Sequence, residues 1–134
     1  MTEGGGAPLA ALATPANVPD AAVLAAVVDR IEPVKRPRGR PRKRPDKLHA
    51  DKAYDHAKHR QALRERGITP RIARKGVESS DRLGRHRWVV ERTLAWLGRY
   101  RRLRVRDERR DDIHQAFLDL GCALVCWQLL THAT

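Results

Sequence analysis

The chain has 134 residues, enough for one small domain. Its 28 Lys and Arg residues against 16 Asp and Glu residues give a formal net charge of +12, which argues against an enzyme of small metabolites and favours a polyanionic partner. Because arginine predominates and its planar side chain matches phosphate groups and base edges, we expect that partner to be nucleic acid and not a membrane.

We expect no targeting signal in the N-terminal region. It has no basic stretch, carries Glu3 and contains no apolar run long enough for a signal peptide or a membrane span. We therefore expect a cytoplasmic protein. The two cysteines, Cys122 and Cys126, lie four residues apart in a predicted helix, so we expect reduced core thiols rather than a disulfide.

The first elements in chain order are a strand and a helix. Residues 1–7 are expected to be disordered. Residues 8–14 are apolar and bounded by glycines and Pro15, which favours a buried strand, although the alanines are also compatible with a helix. Asp20 is the predicted N-cap of the first helix. The apolar stripe of that helix comprises Val23, Leu24, Val27, Val28 and Ile31.

A strand, a helix and a strand follow an exposed basic connection at 32–46. Residues 47–51 predict a brief strand with Leu48 and Ala50 on one face. Asp55 is expected to cap a second helix that ends near Arg66, with Gly67 as the residue that follows its C-cap. The alternating residues Ile68, Pro70 and Ile72 predict a third strand, which Pro70 restricts to an edge or a strand end.

The last third of the chain is predicted to be helical after a polar loop at 76–84. Residues 85–98 form a helix, 99–110 an arginine-rich segment, and 113–130 a helix that is apolar nearly all round and therefore expected to be buried. The apolar stripe of the helix at 85–98 comprises Val89, Val90, Thr93, Leu94, Trp96 and Leu97. The alternation of strands and helices indicates an α/β fold with a largely parallel sheet.

The basic connection contains the pattern Pro-Arg-Gly-Arg-Pro at 37–41, which has the form of an AT-hook that enters the minor groove of A·T-rich DNA. The alternative is a solvated loop whose charges lie along phosphates without reading sequence. Both interpretations make the connection a DNA-contacting surface. Its basic residues are Arg36, Arg38, Arg40, Arg42, Lys43 and Arg44.

Two carboxylates are candidates for metal chemistry. Asp51 follows a predicted strand at the sheet edge where open α/β folds place their sites, and Glu91 lies at the polar margin of the helix at 85–98. Carboxylates from separate elements can hold the divalent ions that activate phosphodiesters. The alternatives are an exposed ion pair of Glu91 with Arg87 and a turn role for Asp51.

Histidines and tryptophans support weaker hypotheses. His49, His56 and His59 could suggest zinc together with Asp51, but no thiolate is near, and surface histidines are the simpler interpretation. The three tryptophans lie in apolar stretches and are expected in the core rather than as platforms for stacked bases. They are Trp88, Trp96 and Trp127.

Four stretches of the chain together form a recognisable pattern. They are LHADKAYD at 48–55, GITPRIARKG at 67–76, GRHRWVVERTLAWLGRYRRLRVR at 84–106 and ERRDDIHQAFLDLGCALVCWQLL at 108–130. They resemble the C-terminal half of bacterial DDE-type insertion-sequence transposases, in the group called insertion sequence family five, and the resemblance covers nearly everything from residue 8 onward. It implies an RNase H-like fold, incomplete here, in which three acids bind two Mg²⁺ or Mn²⁺ ions to nick the ends of a DNA element and join them to a target.

The resemblance assigns the second acid to Asp51, the third to Glu91 and the orienting arginine to Arg87. The family signature around this Glu begins with a Tyr and ends with a Lys, where this chain has Gly84 and Gly98. Arg99 or Arg101 is then expected to make the phosphate contact of that Lys. With Arg102, these two arginines complete the predicted DNA-contacting surface.

The first acid of the family lies on an earlier strand, and no part of this chain corresponds to that strand. The resemblance therefore implies a truncated transposase, inactive alone, that acts as a homodimer or pairs with the missing N-terminal part. A second hypothesis of another class is a non-catalytic DNA-binding protein that uses the AT-hook-like segment.

Overall fold

A computed structural model describes residues 1–35, 37–74, 76 and 84–132, without the side chains of 84–86. The chain divides into two compact units. The central unit comprises residues 16–87, and the terminal unit comprises residues 1–15 together with 88–134. The predicted loop at 76–84 falls largely outside the described residues.

The central unit contains a small parallel sheet. Strand β1 (Lys47–Ala50) pairs with β2 (Thr69–Ile72), with Lys47 opposite Thr69 and Ala50 opposite Ile72. The expectation of strands, helices and a parallel sheet is confirmed for these elements. Parallel neighbours need a crossover connection, and here the segment that carries helix α2 (Ala57–Glu65) supplies it.

The first helix forms where its apolar spacing predicts, but it starts differently. A 3₁₀ turn at Asp20–Val23 leads into α1 (Leu24–Asp29), and the residue that precedes the turn is Pro19. The prediction that Asp20 is the N-cap was wrong, because Asp20 lies inside the first turn. The stripe is nevertheless buried at Leu24, Val28 and Ile31.

Helix α2 also has a different cap from the predicted one. Its N-cap is His56, whose Nδ1 accepts a hydrogen bond from the amide of Lys58 at 3.3 Å. Asp55 instead pairs with an arginine of the helix, so that prediction was wrong. The predicted helix end is confirmed: Gly67 follows the C-cap with φ +70°, a backbone conformation that glycine adopts without strain. Leu63 and Ile68 on either side of this end are fully buried.

The terminal unit contains three helices: α3 (Gly84–Leu97), most of which lies in it, α4 (Arg101–Arg104) and α5 (Asp111–His132). The buried stripe of α3 is narrower than predicted. Val89, Thr93 and Leu97 are buried, whereas Val90 and Leu94 are exposed. Residues four apart stack on one helix face, so a single row of side chains faces the unit's interior.

Gly121 allows the close approach of α4 to α5. A Cβ atom at this position would lie 2.7 Å from Leu103 Cδ1 and 3.3 Å from Leu97 Cδ2. The glycine is buried, so α5 contacts these leucines through its backbone at this point. Both cysteines of α5 are free thiols, as predicted, but they are half-buried and not core residues.

Residues 1–15 do not form the predicted disordered stretch followed by a strand. The backbone of Thr2 bridges to Pro8, and Glu3 and Ala7 close a turn through a 2.9 Å backbone hydrogen bond. Beyond this turn the chain is held by Gln115 of α5, whose Oε1 accepts from the amide of Ala13 at 2.9 Å. No strand is present among residues 9–14: backbone groups of Met1 bond Leu9 and Ala10, and the side chain of Gln115 bonds the backbone of Ala11 and Ala13.

The prediction that the last helix is buried was wrong for one of its faces. Gly121 and Val125 are buried, but Leu120 is exposed and 65% of the surface of Trp127 is accessible. Trp88 on α3 is also half exposed, so the expectation that these tryptophans lie in the core was wrong. By length and composition alone α5 could cross a membrane, which is weak evidence. Apolar side chains thus lie on both the buried and the exposed sides of α5.

Candidate functional site

Asp51 directly follows β1 at the carboxyl end of the parallel sheet. It is the N-cap of a 3₁₀ turn at Lys52–Tyr54, and its Oδ1 accepts a hydrogen bond from the amide of Ala53 at 2.9 Å. The side chain is exposed. This local bond fixes the carboxylate at the strand end, and it accounts for only one of the two oxygens.

Tyr54 lies close to two carboxylates of the central unit. Burial raises the pKa of its phenol, and the negative charges of Asp20 and Asp51 raise it further. The phenol is therefore protonated at neutral pH. Sequence analysis missed this association, because the spacing of Asp20 from Asp51 carries no periodic signal.

Asp55 lies at the end of the segment that follows Asp51, and Arg60 of α2 holds it. Both Nε and Nη2 of Arg60 donate to Oδ1 of Asp55, at 3.1 and 2.7 Å, and Nη2 also donates to the carbonyl of Ile72 at 3.0 Å. The two side chains are largely buried, with 18% and 20% of their surfaces accessible. One arginine thus connects the segment after Asp51, α2 and the end of β2.

Glu91 lies on α3 with its side chain exposed, and Arg87, also exposed, is one helical turn earlier. Glu91 belongs to the terminal unit, whereas Asp51 and Arg87 belong to the central unit. The structure places each acid within its own unit, so the predicted approach of the two carboxylates remains a prediction.

The two residues after Glu91 hold a turn of the N-terminal segment. Arg92 donates from Nη2 to the carbonyl of Gly5, and the Thr93 hydroxyl donates to the carbonyl of Gly6 at 2.7 Å. The guanidinium carbon of Arg92 lies 4.4 Å from the ring centre of Trp88 and 4.7 Å from that of Trp96. Sequence analysis used the glycines only as strand boundaries and missed this contact.

Metal-binding groups are sparse in the described part of the chain. Among residues 1–35, 37–74, 76 and 87–132, no three His, Cys, Asp or Glu side chains are grouped so that they could hold an ion. Asp51 and Glu91 supply the oxygen ligands that Mg²⁺ and Mn²⁺ prefer. The donor chemistry fits, but two carboxylates are fewer than the family's three.

The histidines considered as zinc ligands differ from one another in burial. His59 is buried on α2, and burial together with the charges of Lys58 and His56 lowers its pKa. The rings of His56 and His59 are 5.9 Å apart and approach edge to face. The expectation of surface histidines was therefore wrong for His59, which is a core residue.

The basic connection at 32–46 forms an exposed loop, as predicted, with Arg36 outside the described residues. The backbones of Val34 and Arg42 pair through two hydrogen bonds of 2.8 Å, so the loop turns back on itself. Gly39 at its tip has φ +92°. Arg38 and Arg40 flank this glycine and are exposed.

The other basic residues of the loop are partly engaged within the protein. Arg42 donates to the carbonyl of Arg44 at 2.7 Å and forms an ion pair with Asp46. Arg44 reaches the carbonyl of Arg66 at 3.4 Å, at the end of α2. Lys43 is exposed. The side chains at the loop tip are thus more available to a ligand than those at its base.

The second predicted basic surface lies around α4. Arg99 and Arg101 are exposed, whereas Arg102 donates to Glu108 at 2.9 Å and lies 5.6 Å from the ring centre of Phe117. A groove of about 230 Å³ runs beside these arginines between α4 and α5. Because Glu108 pairs with Arg102, Arg99 and Arg101 are the members of the predicted surface with more of their charge available to a ligand.

Comparison with known proteins gives two matches. Residues 1–126 match the family described as the transposase DDE domain. The chain is also 53% identical over 133 residues to a Burkholderia cepacia protein described as "Putative transposase for insertion sequence element IS402". The match covers 99% of this chain and 63% of that protein, so the chain spans less than two thirds of its relative's length. No solved structure matches the chain.

Proposed function

Because the chain belongs to the transposase DDE-domain family, we propose that it is part of a DDE-type insertion-sequence transposase and supplies two of the carboxylates for metal-dependent DNA cleavage and strand transfer. The observation that carries this proposal is the position of Asp51 at the carboxyl end of β1, where open α/β sheets bind their ligands. We assign the chain to an incomplete RNase H-like catalytic domain, located in the cytoplasm and related to insertion sequence family five.

Asp51 and Glu91 would hold the ions, and Arg87 would orient Glu91 or a phosphate. A pair of Mg²⁺ or Mn²⁺ ions supplies activation of the attacking oxygen and stabilisation of the leaving oxygen. Both side chains are exposed, so an ion and a DNA strand can reach them without unfolding. Two carboxylates give less charge than three, and this chain alone should bind metal weakly and show little transposition.

The DNA-contacting surface comprises the tip of the loop at 32–46 and the exposed arginines beside α4. The loop closes through Val34 and Arg42, whereas an AT-hook lies extended in the minor groove. This geometry favours contacts of Arg38 and Arg40 with phosphates. The non-catalytic AT-hook protein remains the second candidate, because the Pro-Arg-Gly-Arg-Pro pattern is complete and exposed.

The exposed apolar face of α5 supports pairing with the part of the transposase that this chain does not match. Its members lie within about 120° on a helical wheel, and none is charged. They are Ile113, Leu120, Leu124, Trp127 and Leu130. A soluble helix that is apolar all round is normally covered on all sides. The unmatched third of the relative provides enough polypeptide to cover it, and a homodimer is the competing arrangement.

A manganese titration of the isotopically labelled chain tests the catalytic assignment. Because Mn²⁺ broadens the nuclear magnetic resonances of nearby groups even when binding is weak, we expect the carboxyl signals of Asp51 and Glu91 to broaden at the same metal concentrations. Glu32, an exposed acid of the loop at 32–46, serves as the control. Broadening of Asp51 and Glu91 no greater than that of Glu32 would overturn the assignment.

A second titration separates the two candidate functions. The Asp51→Asn and Glu91→Gln variants should lose the selective broadening but keep their affinity for duplex DNA, because the basic loop is unchanged. If neither acid binds metal while A·T-rich duplex is preferred strongly over G·C-rich duplex, the AT-hook protein is the correct function.

A further inference from the structure

Glu91 is followed at once by the two α3 side chains that grip the N-terminal segment. Thr93 is only 2% exposed, and its hydroxyl lies 2.7 Å from the Gly6 carbonyl and 3.0 Å from the Val89 carbonyl. A hydroxyl has one hydrogen, and the shorter contact makes Gly6 the favoured acceptor. Arg92 adds a hydrogen bond to the neighbouring carbonyl of Gly5.

The turn that receives these bonds is built around glycine. Gly6 has φ +97°, a backbone conformation that other residues adopt only with strain. A Cβ atom there would lie 2.7 Å from Arg92 Nη2 and 3.3 Å from Thr93 Oγ1. Glu3 closes the turn, because its Oε1 accepts from the amide of Ala7 at 3.0 Å. The turn therefore presents its two carbonyls to α3 without room for a side chain.

The Arg92 side chain is itself fixed on both sides. It lies between the rings of Trp88 and Trp96, one turn before it and one turn after it on the same helix. Its Nε is buried and, within the described part of the chain, has no hydrogen-bond partner. A buried donor without a hydrogen-bond partner destabilises the folded state, and such destabilising features occur more often at functional positions than elsewhere.

We propose that the Gly5–Gly6 turn, together with Arg92 and Thr93, is a positioning device that sets the rotation of α3 and so the direction of Glu91. This inference rests on the proposed role of Glu91 as a metal ligand. Successive residues of a helix point about 100° apart, so bonds that fix residues 92 and 93 also fix residue 91. Arg92 and Thr93 act through Glu91 and need not touch the metal.

The test uses Thr93→Val, which removes the hydroxyl at nearly constant volume, with Thr93→Ser as the rescue and Thr131→Val as the matched control. Thr131 also bonds a helix carbonyl through its hydroxyl, but it is exposed on α5. In the manganese titration, Thr93→Val should raise about tenfold the Mn²⁺ concentration that broadens the signals of Glu91 and of Asp51, because both are proposed to hold the same ions and substitutions of groups that orient metal ligands weaken metal binding by about this factor. Thr93→Ser should restore it, and Thr131→Val should have no effect.

Residual dipolar couplings of the Glu91 amide provide a readout that does not depend on metal. The proposal requires these couplings to change in Thr93→Val and to return in Thr93→Ser. Arg92→Lys, which keeps the charge but loses the planar fork, should change them in the same sense and remains usable if Thr93→Val fails to fold.

The outcomes distinguish the two proposals. If Glu91 binds metal in the unmodified chain and Thr93→Val and Arg92→Lys fold with unchanged couplings and affinity, the positioning role is wrong. If Glu91 binds no metal in the unmodified chain, the proposed function fails, and the couplings alone decide whether the turn orients Glu91.

Discussion

Arg60 holds Asp55 with two hydrogen bonds and simultaneously caps the carbonyl of Ile72, at the end of β2. The pair is largely buried and fixes the Asp55 end of the short segment from Asp51 to Asp55. The other end is fixed by the Asp51 side chain, which accepts a hydrogen bond from the amide of Ala53. The backbone that carries Asp51 is held by an ion pair that takes no part in the proposed chemistry.

Arg60→Met should destabilise the protein by about 2 kcal/mol, because it leaves the Asp55 carboxylate and the Ile72 carbonyl without these donors in a mostly buried place. Urea unfolding measures the loss. Arg66→Met is the control: Asp29, the partner of Arg66, is mostly exposed, so this change should cost less than about 1 kcal/mol. Equal losses in both variants would contradict the argument from burial.

Gly67→Ala should lower the free energy of unfolding by about 1 kcal/mol, because the residue has φ +70° and alanine adopts that conformation only with strain. An added Cβ would meet no neighbouring atom, so backbone strain is the whole effect. Gly98→Ala is the matched change at the end of α3, where φ is not positive and the nearest atom to the new Cβ is 3.4 Å away. Thermal unfolding should show a change of less than about 0.5 kcal/mol for Gly98→Ala. A cost at Gly98 equal to that at Gly67 would refute this explanation.

Acidification should destabilise the protein through His59. Burial lowers the pKa of this histidine below its ordinary value of 6.5, so the unfolded chain binds its proton more readily than the folded chain does. The stability that neutral His59 contributes is complete above about pH 6.5 and declines as the pH falls from there through the folded-state pKa. Urea midpoints measured from pH 7.5 to 5.5 should show the decline.

His59→Leu should reduce this acid-dependent loss, whereas His132→Gln, at the exposed end of α5, should leave it unchanged. A decline of the same size in His59→Leu as in the unmodified chain would assign the acid sensitivity to other groups.

Arg38→Ala combined with Arg40→Ala should reduce the salt dependence of DNA binding. Each phosphate contact contributes about 0.9 to the steepness of a plot of log affinity against log salt concentration. The slope of the double variant should therefore be shallower by roughly 2. The loss should be the same for A·T-rich and G·C-rich duplexes, as measured by fluorescence anisotropy. Arg102→Ala should change the slope little, because Glu108 already pairs with Arg102. A loss confined to A·T-rich duplex would instead indicate minor-groove reading.

The two faces of α5 should respond differently to substitution. Val125→Ala should lower the free energy of unfolding by about 2 kcal/mol, because Val125 is 1% exposed and its truncation leaves a cavity. Leu124→Gln and Trp127→Gln should change stability by less than about 0.5 kcal/mol, since both residues are exposed. The same two variants should weaken association with the unmatched third of the transposase, measured after co-expression. Unchanged association would remove α5 from that interface.

The elements that depend on local patterns could be predicted from the sequence. The stripe Leu24, Val28 and Ile31 is buried where its helical spacing predicts, the alternation around Pro70 forms a strand, and Gly67 ends α2. Each of these depends on spacing or on the backbone preference of a single residue, and both are visible in a linear sequence. The family also followed from local motifs, because the stretches around Asp51 and Glu91 are contiguous.

The polar groups that bond across the chain and the apolar faces that become covered could not be predicted, because both depend on how the helices and strands pack. Asp55 pairs with Arg60 instead of capping α2, and Thr93 bonds the Gly6 carbonyl 87 residues away. The sequence predicts α5 to be buried because it is apolar, but burial depends on what packs against a helix, and the apolar face that includes Leu120 and Trp127 stays exposed. Apolar periodicity specifies which side chains would gain from burial, whereas the packed fold determines which of them are buried.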